Sequence, residues 1–134
     1  MNYWLMKSEP GAYSWDDMLK DGRTYWDGVR NYTARNNMKS MKVGDRAFFY
    51  HSVKEKTIIG VVKIVKEYYQ DPTTDDDRWV VVDIEPELTL NNPITLEQVK
   101  SDDRLSDMVL VKQSRLSVQP VTKEEFDIIM NLAK

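Results

Sequence analysis

Val43-Gly44-Asp45-Arg46-Ala47-Phe48-Phe49-Tyr50-His51 is the stretch on which the fold class turns. Val43-Gly44-Asp45 is a turn signal, and the breaker-free aromatic run from Arg46 to His51 that follows it has the composition of a strand. Thr57 to Tyr68 is a second, β-branched strand interrupted by Gly60. Two β elements therefore sit mid-chain.

Working outward, Tyr3 to Lys7 reads as a short strand ended by Glu9-Pro10-Gly11. Ser14-Trp15-Asp16-Asp17 has the form of an N-cap followed by an acidic first turn, which predicts a helix to about Gly22. Asn31 caps a second helix through about Met38. Arg78 to Glu85, with Trp79 inside it, reads as a further strand that Leu88 to Leu90 extends. Pro93 and Thr95 introduce a short helix through Lys100, and Leu105 to Val109 forms another. Ser114 to Val118 alternates polar and apolar residues as a half-buried strand does. Thr122-Lys123-Glu124-Glu125 is a capping box that opens a terminal helix ending near Ala133. Strands and short helices without βαβ regularity predict an α+β fold around a curled sheet or small barrel. The 134 residues fit one domain spanning residues 1–134.

Composition narrows the function classes. With 41% hydrophobic and 31% charged residues the chain has the make-up of a globular domain, and no apolar run approaches a membrane span. It has no cysteine, so a disulfide framework and a thiolate metal site are excluded. The N-terminus lacks the pattern of a signal peptide, and the expected location is cytoplasmic. A net charge of −3 argues against a non-specific duplex binder, which needs a cationic excess. The cations Arg30, Arg35, Lys39 and Lys42 cluster, and acidic residues gather at Asp71 to Asp77 and Asp102 to Asp107. That distribution predicts either a basic face opposite acidic loops or a solvated charged helix.

Tyr25-Trp26-Asp27-Gly28-Val29-Arg30-Asn31-Tyr32 gathers three aromatics, an Arg and an Asn around one turn, which suits the wall of a pocket for a planar ligand. The bland alternative places Trp26 and Tyr32 in the core beside that turn. Catalytic material is sparse. His51 is the sole histidine, and Ser8 and Ser52 are the candidate nucleophiles. Adjacent strand residues face opposite ways, which argues against a direct His51–Ser52 pair. Lys7 and Glu9, two apart on one strand, share a face and offer an ion pair or an acid–base pair. Asp75-Asp76-Asp77 lacks the Gly and distal Glu of a calcium loop and reads as solvated, so no metal site is expected. The isolated glycines form no phosphate-cradling loop, and no cofactor is expected.

Four segments carry a resemblance. Tyr3 to Pro10, Trp26 to Asn31 with Ala34-Arg35-Asn36, Phe49-Tyr50-His51-Ser52, and Ser114 to Val118 are similar to the motifs of the EVE domain family, in order and across essentially the whole chain. The resemblance implies a PUA-like fold, a curled β-barrel with peripheral short helices, related to the YTH and ASCH domains. It implies a reader that binds a modified base, above all a modified cytosine in DNA, or RNA, with Lys7, Ser8, Glu9, Trp26, Val29, Arg30, Asn31, His51, Ser52, Arg115 and Ser117 at or near the pocket. In that picture Trp26 stacks on the base and Asn31 and Ser52 bond its edge. Arg30 or Arg115 meets a phosphate or base carbonyl, and Val29 shapes room for a substituent. A stand-alone reader of this kind also implies an effector protein as partner. A second class stays open through the ASCH relatives, an amidohydrolase of modified nucleosides using Lys7, Glu9 and Ser8 or Ser52.

Overall fold

In the computed structural model, which describes residues 1–134, six strands make one mixed sheet. Strand β1 is Tyr3–Ser8, β2 is Thr24–Tyr25, β3 is Arg46–His51, β4 is Thr57–Gln70, β5 is Val80–Thr95 and β6 is Val118–Val121. Helices α1 (Trp15–Asp21) and α2 (Tyr32–Ser40) lie between β1 and β3, while α3 (Leu96–Ser101), α4 (Val109–Lys112) and α5 (Lys123–Leu132) follow β5. The spatial order is β2-β5-β4-β3-β1-β6, with β1 and β3 parallel and the other pairs antiparallel.

The helix termini follow from local chemistry. The Ser14 side chain accepts from Asp17 N, and Asn31 accepts from Ala34 N. Thr95 and Thr122 open α3 and α5 with complete capping boxes, each satisfying donors that the first helical turn otherwise leaves orphaned. Helix α1 stops at Gly22, whose φ of 71° is open to glycine at no steric cost.

Neighbouring side chains on the central strands serve two cores. Trp4, Met6, Phe49, Val62 and Ile64 pack with Met18 of α1 and Met38 of α2 on one face. Leu5, Phe48, Tyr50, Ile58 and Val61 pack with Val99, Leu110, Phe126 and Ile129 on the other, under α3, α4 and α5. Burial on both faces is why β3 reads as a near-continuous apolar run instead of an alternation.

The sheet is bulged and open. Register shifts recur along the β4–β5 ladder, and such irregularities add bend and twist. The barrel expected from the sequence does not close, for β2 and β6 stay as free edges. Strand β2 has only two residues, and β6 contains Pro120, which cannot donate to a ladder.

Several boundaries also differ from expectation. The strand read at Ser114 begins only at Val118, because Leu116 N bonds Gln113 O and closes a local turn. In place of a helix over Leu105 to Val109 there is a 3-10 turn at Asp103–Leu105, capped by the Asp102 side chain, and then α4. Pro93 lies within β5, and Thr95 alone caps α3. Trp79 falls outside β5, half-buried, with its ring stacked on Tyr32 at 5.2 Å. Asp45, read as a turn residue, is buried and accepts from Asn2 N, Trp4 Nε1 and Lys42 N at 3.0–3.1 Å.

Gly60 explains how α1 reaches the sheet. It pairs with Phe49, and a Cβ at this position would come within 2.7 Å of three ring atoms of Trp15. The Trp15 indole therefore occupies the space that a side chain on β4 would fill, with its ring 5.2 Å from Phe49. Its Nε1 donates to Thr89 Oγ1 at 2.9 Å, and its backbone N donates to His51 Nε2 at 3.0 Å. Gly60→Ala is expected to destabilise the domain by about 1–3 kcal/mol or more through overpacking, because the indole is held at both ends and cannot slide away. A shift of the urea midpoint to lower concentration with an unchanged slope would show it.

Candidate functional site

β1 ends in a turn. Pro10 has no N–H to continue a ladder, and Ala12 N and Tyr13 N both bond Glu9 O, at 2.9 and 2.8 Å. The turn brings Tyr13 back over the strand end, where the Ser8 hydroxyl donates to the Tyr13 carbonyl. Opposite, β2 and the residues after it follow β5, with Trp26 N donating to Val82 O at 2.9 Å. Between the two walls lies a cleft of about 340 Å³ lined by Lys7, Ser8, Glu9, Ala12 and Tyr13 on one side and Thr24 to Asp27 on the other.

Trp26 unites the two alternatives weighed from the sequence. It lines the cleft, yet it is only 8% exposed and its ring meets Phe49 edge-on at 5.6 Å and 90°. Tyr25 is 42% exposed at the rim. Tyr13 OH donates to Asp21 at 2.8 Å, and burial, reinforced by Asp21, pushes that phenol well above its ordinary range. The exposed carboxylates of Glu9 and Asp27 line the same cleft without a cation partner in the chain.

Behind the cleft, Gly28 turns the chain at φ 77° into Val29 and Arg30. The fully buried Asp71 carboxylate holds this corner, accepting from Gly28 N at 3.2 Å, Arg30 at 3.0 Å, and Thr73 N and Oγ1 at 2.8 and 2.6 Å. Burial pushes the Asp71 carboxyl up, but the bonds from Thr73, Arg30 and Gly28 outweigh it and hold the group below the usual carboxylate range. Of the two readings offered for the charged residues, a basic face set opposite acidic loops is not what forms around Asp71, while Asp75 and Asp77 are exposed as expected of a solvated loop. Arg30 pairs with Asp71 and Arg35 reaches Arg78 O, so the two charged regions pack together.

Of the residues expected at the site, Lys7, Ser8, Glu9 and Trp26 converge on the cleft. Lys7 is half-buried, its Nζ donating to Ser114 O at 2.6 Å, and burial lowers its pKa. It makes no ion pair with Glu9, because β1 ends at Ser8 and Glu9 belongs to the turn. Val29 is buried in the core and Arg30 is directed at Asp71, both away from the cleft. Asn31 spends its side-chain oxygen on the helix cap and, with Arg115, lines a separate hollow of about 370 Å³. Ser52 lines a third, which it shares with Lys7. Ser117 contributes its carbonyl to Lys7 N at 2.9 Å. His51 is buried, with Nε2 accepting from Trp15 N and Nδ1 2.8 Å from Glu55, so both nitrogens serve the fold. Tyr25 and Asp27, which belong to the aromatic stretch from Tyr25 to Tyr32, line the cleft although the family resemblance implied no role for them. Tyr13 had no sequence signal, since only the turn after Glu9 brings it there.

The sequence model of the EVE domain matches residues 2–132. This chain belongs to the EVE domain family. It is 40% identical to mouse thymocyte nuclear protein 1 over 98% of this chain and 73% of the mouse protein. Among solved structures, a protein from Agrobacterium tumefaciens superposes with a TM-score of 0.97 at 43% identity, covering 99% of this chain and 93% of that one. The human THYN1 protein, solved in complex with DNA containing 5-methylcytosine, superposes with a TM-score of 0.91 at 40% identity, covering 100% of this chain and 98% of that one. An ASCH protein from Zymomonas mobilis shares the fold alone, at a TM-score of 0.63, 12% identity, and 99% and 96% coverage. The thymocyte relatives are named as nuclear proteins, which overturns the cytoplasmic location expected from the sequence.

Two outcomes follow for this EVE domain. Trp26→Ala is expected to cost about 3–5 kcal/mol of stability, as for other buried aromatics, whereas Tyr25→Ala at the exposed rim should stay within about 0.5 kcal/mol; thermal melts of the two variants check this. Because the folded pKa of Asp71 is lowered, its stabilisation is complete above the unfolded value of about 4 and is lost as pH falls through the folded value. Urea midpoints measured from pH 6 to pH 2 should fall on acidification, and Asp71→Asn should start lower and show a flatter acid limb.

Proposed function

We propose that this EVE domain is a non-enzymatic reader that takes a modified cytosine of DNA into the cleft over Trp26. The observation that carries the reading is the pairing of aromatic surface from Trp26 and Tyr25 with the unpartnered carboxylates of Glu9 and Asp27 in one cleft. Cytosine presents an exocyclic amine, and a carboxylate is the side chain suited to accept from it. The complex of the human relative with DNA containing 5-methylcytosine supports the same base class. Lys7 has two N–H groups left after Ser114 O, available to the base carbonyl or a phosphate. Arg115, Asn31 and Lys112 line the next hollow, where a flanking nucleotide would lie. The bulged sheet and the ASCH likeness support the PUA-like assignment of the fold. An RNA base fits the same chemistry, and an effector protein would convert recognition into an outcome.

The geometry disfavours the amidohydrolase alternative. The Ser8 hydroxyl is donated to a backbone carbonyl, the His51 nitrogens face Trp15 N and Glu55, the Lys7 ammonium sits on Ser114 O, and Ser52 lines a different hollow from the free carboxylate of Glu9.

Fluorescence anisotropy with oligonucleotides carrying cytosine or 5-methylcytosine, as DNA and RNA, tests the reading. A methyl group in an apolar pocket discriminates by only ~1–3 kcal/mol, so a modest preference for the methylated DNA is expected. Tyr25→Ala and Glu9→Gln should weaken that binding while the protein melts normally. Equal affinity for methylated and unmethylated strands, or turnover of modified nucleosides abolished by Lys7→Ala, would overturn it.

A further inference from the structure

The turn joining β3 to β4, Ser52 to Lys56, holds both positive-φ residues of the chain that are not glycine, Val53 at 73° and Lys56 at 46°. Lys54 N donates to Ser52 O at 3.0 Å, which closes a three-residue γ-turn around Val53. The positive-φ form of that turn is rare and strained, and a β-branched residue is the least suited to it. Its surroundings hold it there. Ser52 N donates to Ser8 O at 2.9 Å, Thr57 Oγ1 to Glu55 O at 2.7 Å and Leu96 N to Lys56 O at 2.8 Å. The strain does nothing for the core, because the Val53 side chain is 59% exposed. Strained backbone that the fold does not need collects at functional sites.

The surrounding charge is asymmetric. On the Arg30 side of the cleft three guanidinium groups are neutralised, Arg23 by Asp83, Arg30 by Asp71 and Arg78 by Asp76, while Arg35 has Asn36 and Arg78 O as partners in place of a carboxylate. On the Val53 side, the turn's one carboxylate, Glu55, is drawn onto His51, and Lys54 and Lys56 have no ion-pair partner, although Glu97 lines the neighbouring hollow with them. Lys7 lines both the base cleft and the hollow of about 280 Å³ beneath Val53. With the bond from Ser52 to Ser8, this sets the strained turn beside the Lys7–Ser8 wall of the cleft.

We propose that Val53 is a wedge that enters the stack of duplex DNA where a base has left for the cleft, with Lys54 and Lys56 on the flanking phosphates. This rests on the reader function above. Extruding a base costs stacking and pairing, and an apolar side chain inserted at the vacated step offsets part of that loss. Valine suits the role because its one stiff rotor loses little freedom on insertion. The strained turn keeps it projecting outward instead of folding back.

Three probes carrying one central 5-methylcytosine test the wedge: a duplex, the single strand alone, and a duplex with 2-aminopurine beside the methylated base. Val53→Gly and Val53→Asn both tolerate positive φ, so the turn and the melting temperature should be retained. Both variants are expected to bind the duplex about tenfold more weakly, leave single-strand affinity unchanged, and lose the 2-aminopurine brightening produced by the wild type. Lys54→Gln and Lys56→Gln should each reduce the salt slope by about 1. Equal losses on duplex and single strand, or no loss, would overturn the wedge while the reader function stands. A wild-type protein with no preference for methylated oligomers would overturn that function, and the wedge with it.

Discussion

The contact of Trp15 and Trp26 with the Phe49 ring, over the gap left by Gly60, is the constraint on which the rest depends. Phe49 meets Trp15, Trp26, Tyr13 and His51 at ring-centroid distances of 5.2 to 6.5 Å. One side chain of the central sheet thus carries helix α1, the cleft floor, one cleft wall and the histidine that caps α1 from below. Edge-to-face packing of this kind fixes angles as well as distances, so the Trp26 ring cannot tilt without disturbing α1. The recognition surface and the core are therefore one structure at this point, and residues that look functional by position are also structural by energy.

A second constraint is electrostatic. The chain places Asp45 and Asp71 in its interior and satisfies each with several donors, which is the condition for burying a carboxylate at tolerable cost. Asp45 ties the N-terminus of β1 to the turn before β3, and Asp71 ties the corner at Gly28 to the far end of the sheet. That pairing commits Arg30 Nη1 to Asp71, while the Arg30 side chain stays 40% exposed. Lys7, Lys54, Lys56 and Arg115 have no carboxylate partner, and neither do Arg35 and Lys39 of α2, while the chain as a whole carries a net charge of −3.

The amino-acid sequence by itself determined the local elements. Ser14, Asn31, Thr95 and Thr122 mark helix starts because a capping side chain and its N–H target lie within three residues of one another. The run from Arg46 to His51 marks β3 because neighbouring residues supply its propensity. The four EVE motifs were legible as words in a chain, and with them the family. Lys7, Ser8, Glu9 and Trp26 reached the cleft as expected because each sits next to a strand end that its own sequence defines.

Tertiary structure alone decided what depends on residues far apart. The pairing of Gly60 with Phe49, the 28-residue separation of Met6 from Ala34 bridged through a shared core, and the burial of Asp71 against Gly28 have no local signature. Arg30, Asn31, Val29 and His51 carried the residue types of a binding site, yet their hydrogen bonds and burial went to Asp71, a helix cap, the core and Trp15. A side chain's chemistry is written in the sequence. Which partner consumes it is set by three-dimensional proximity, and each donor or acceptor spent on the fold is unavailable to a ligand.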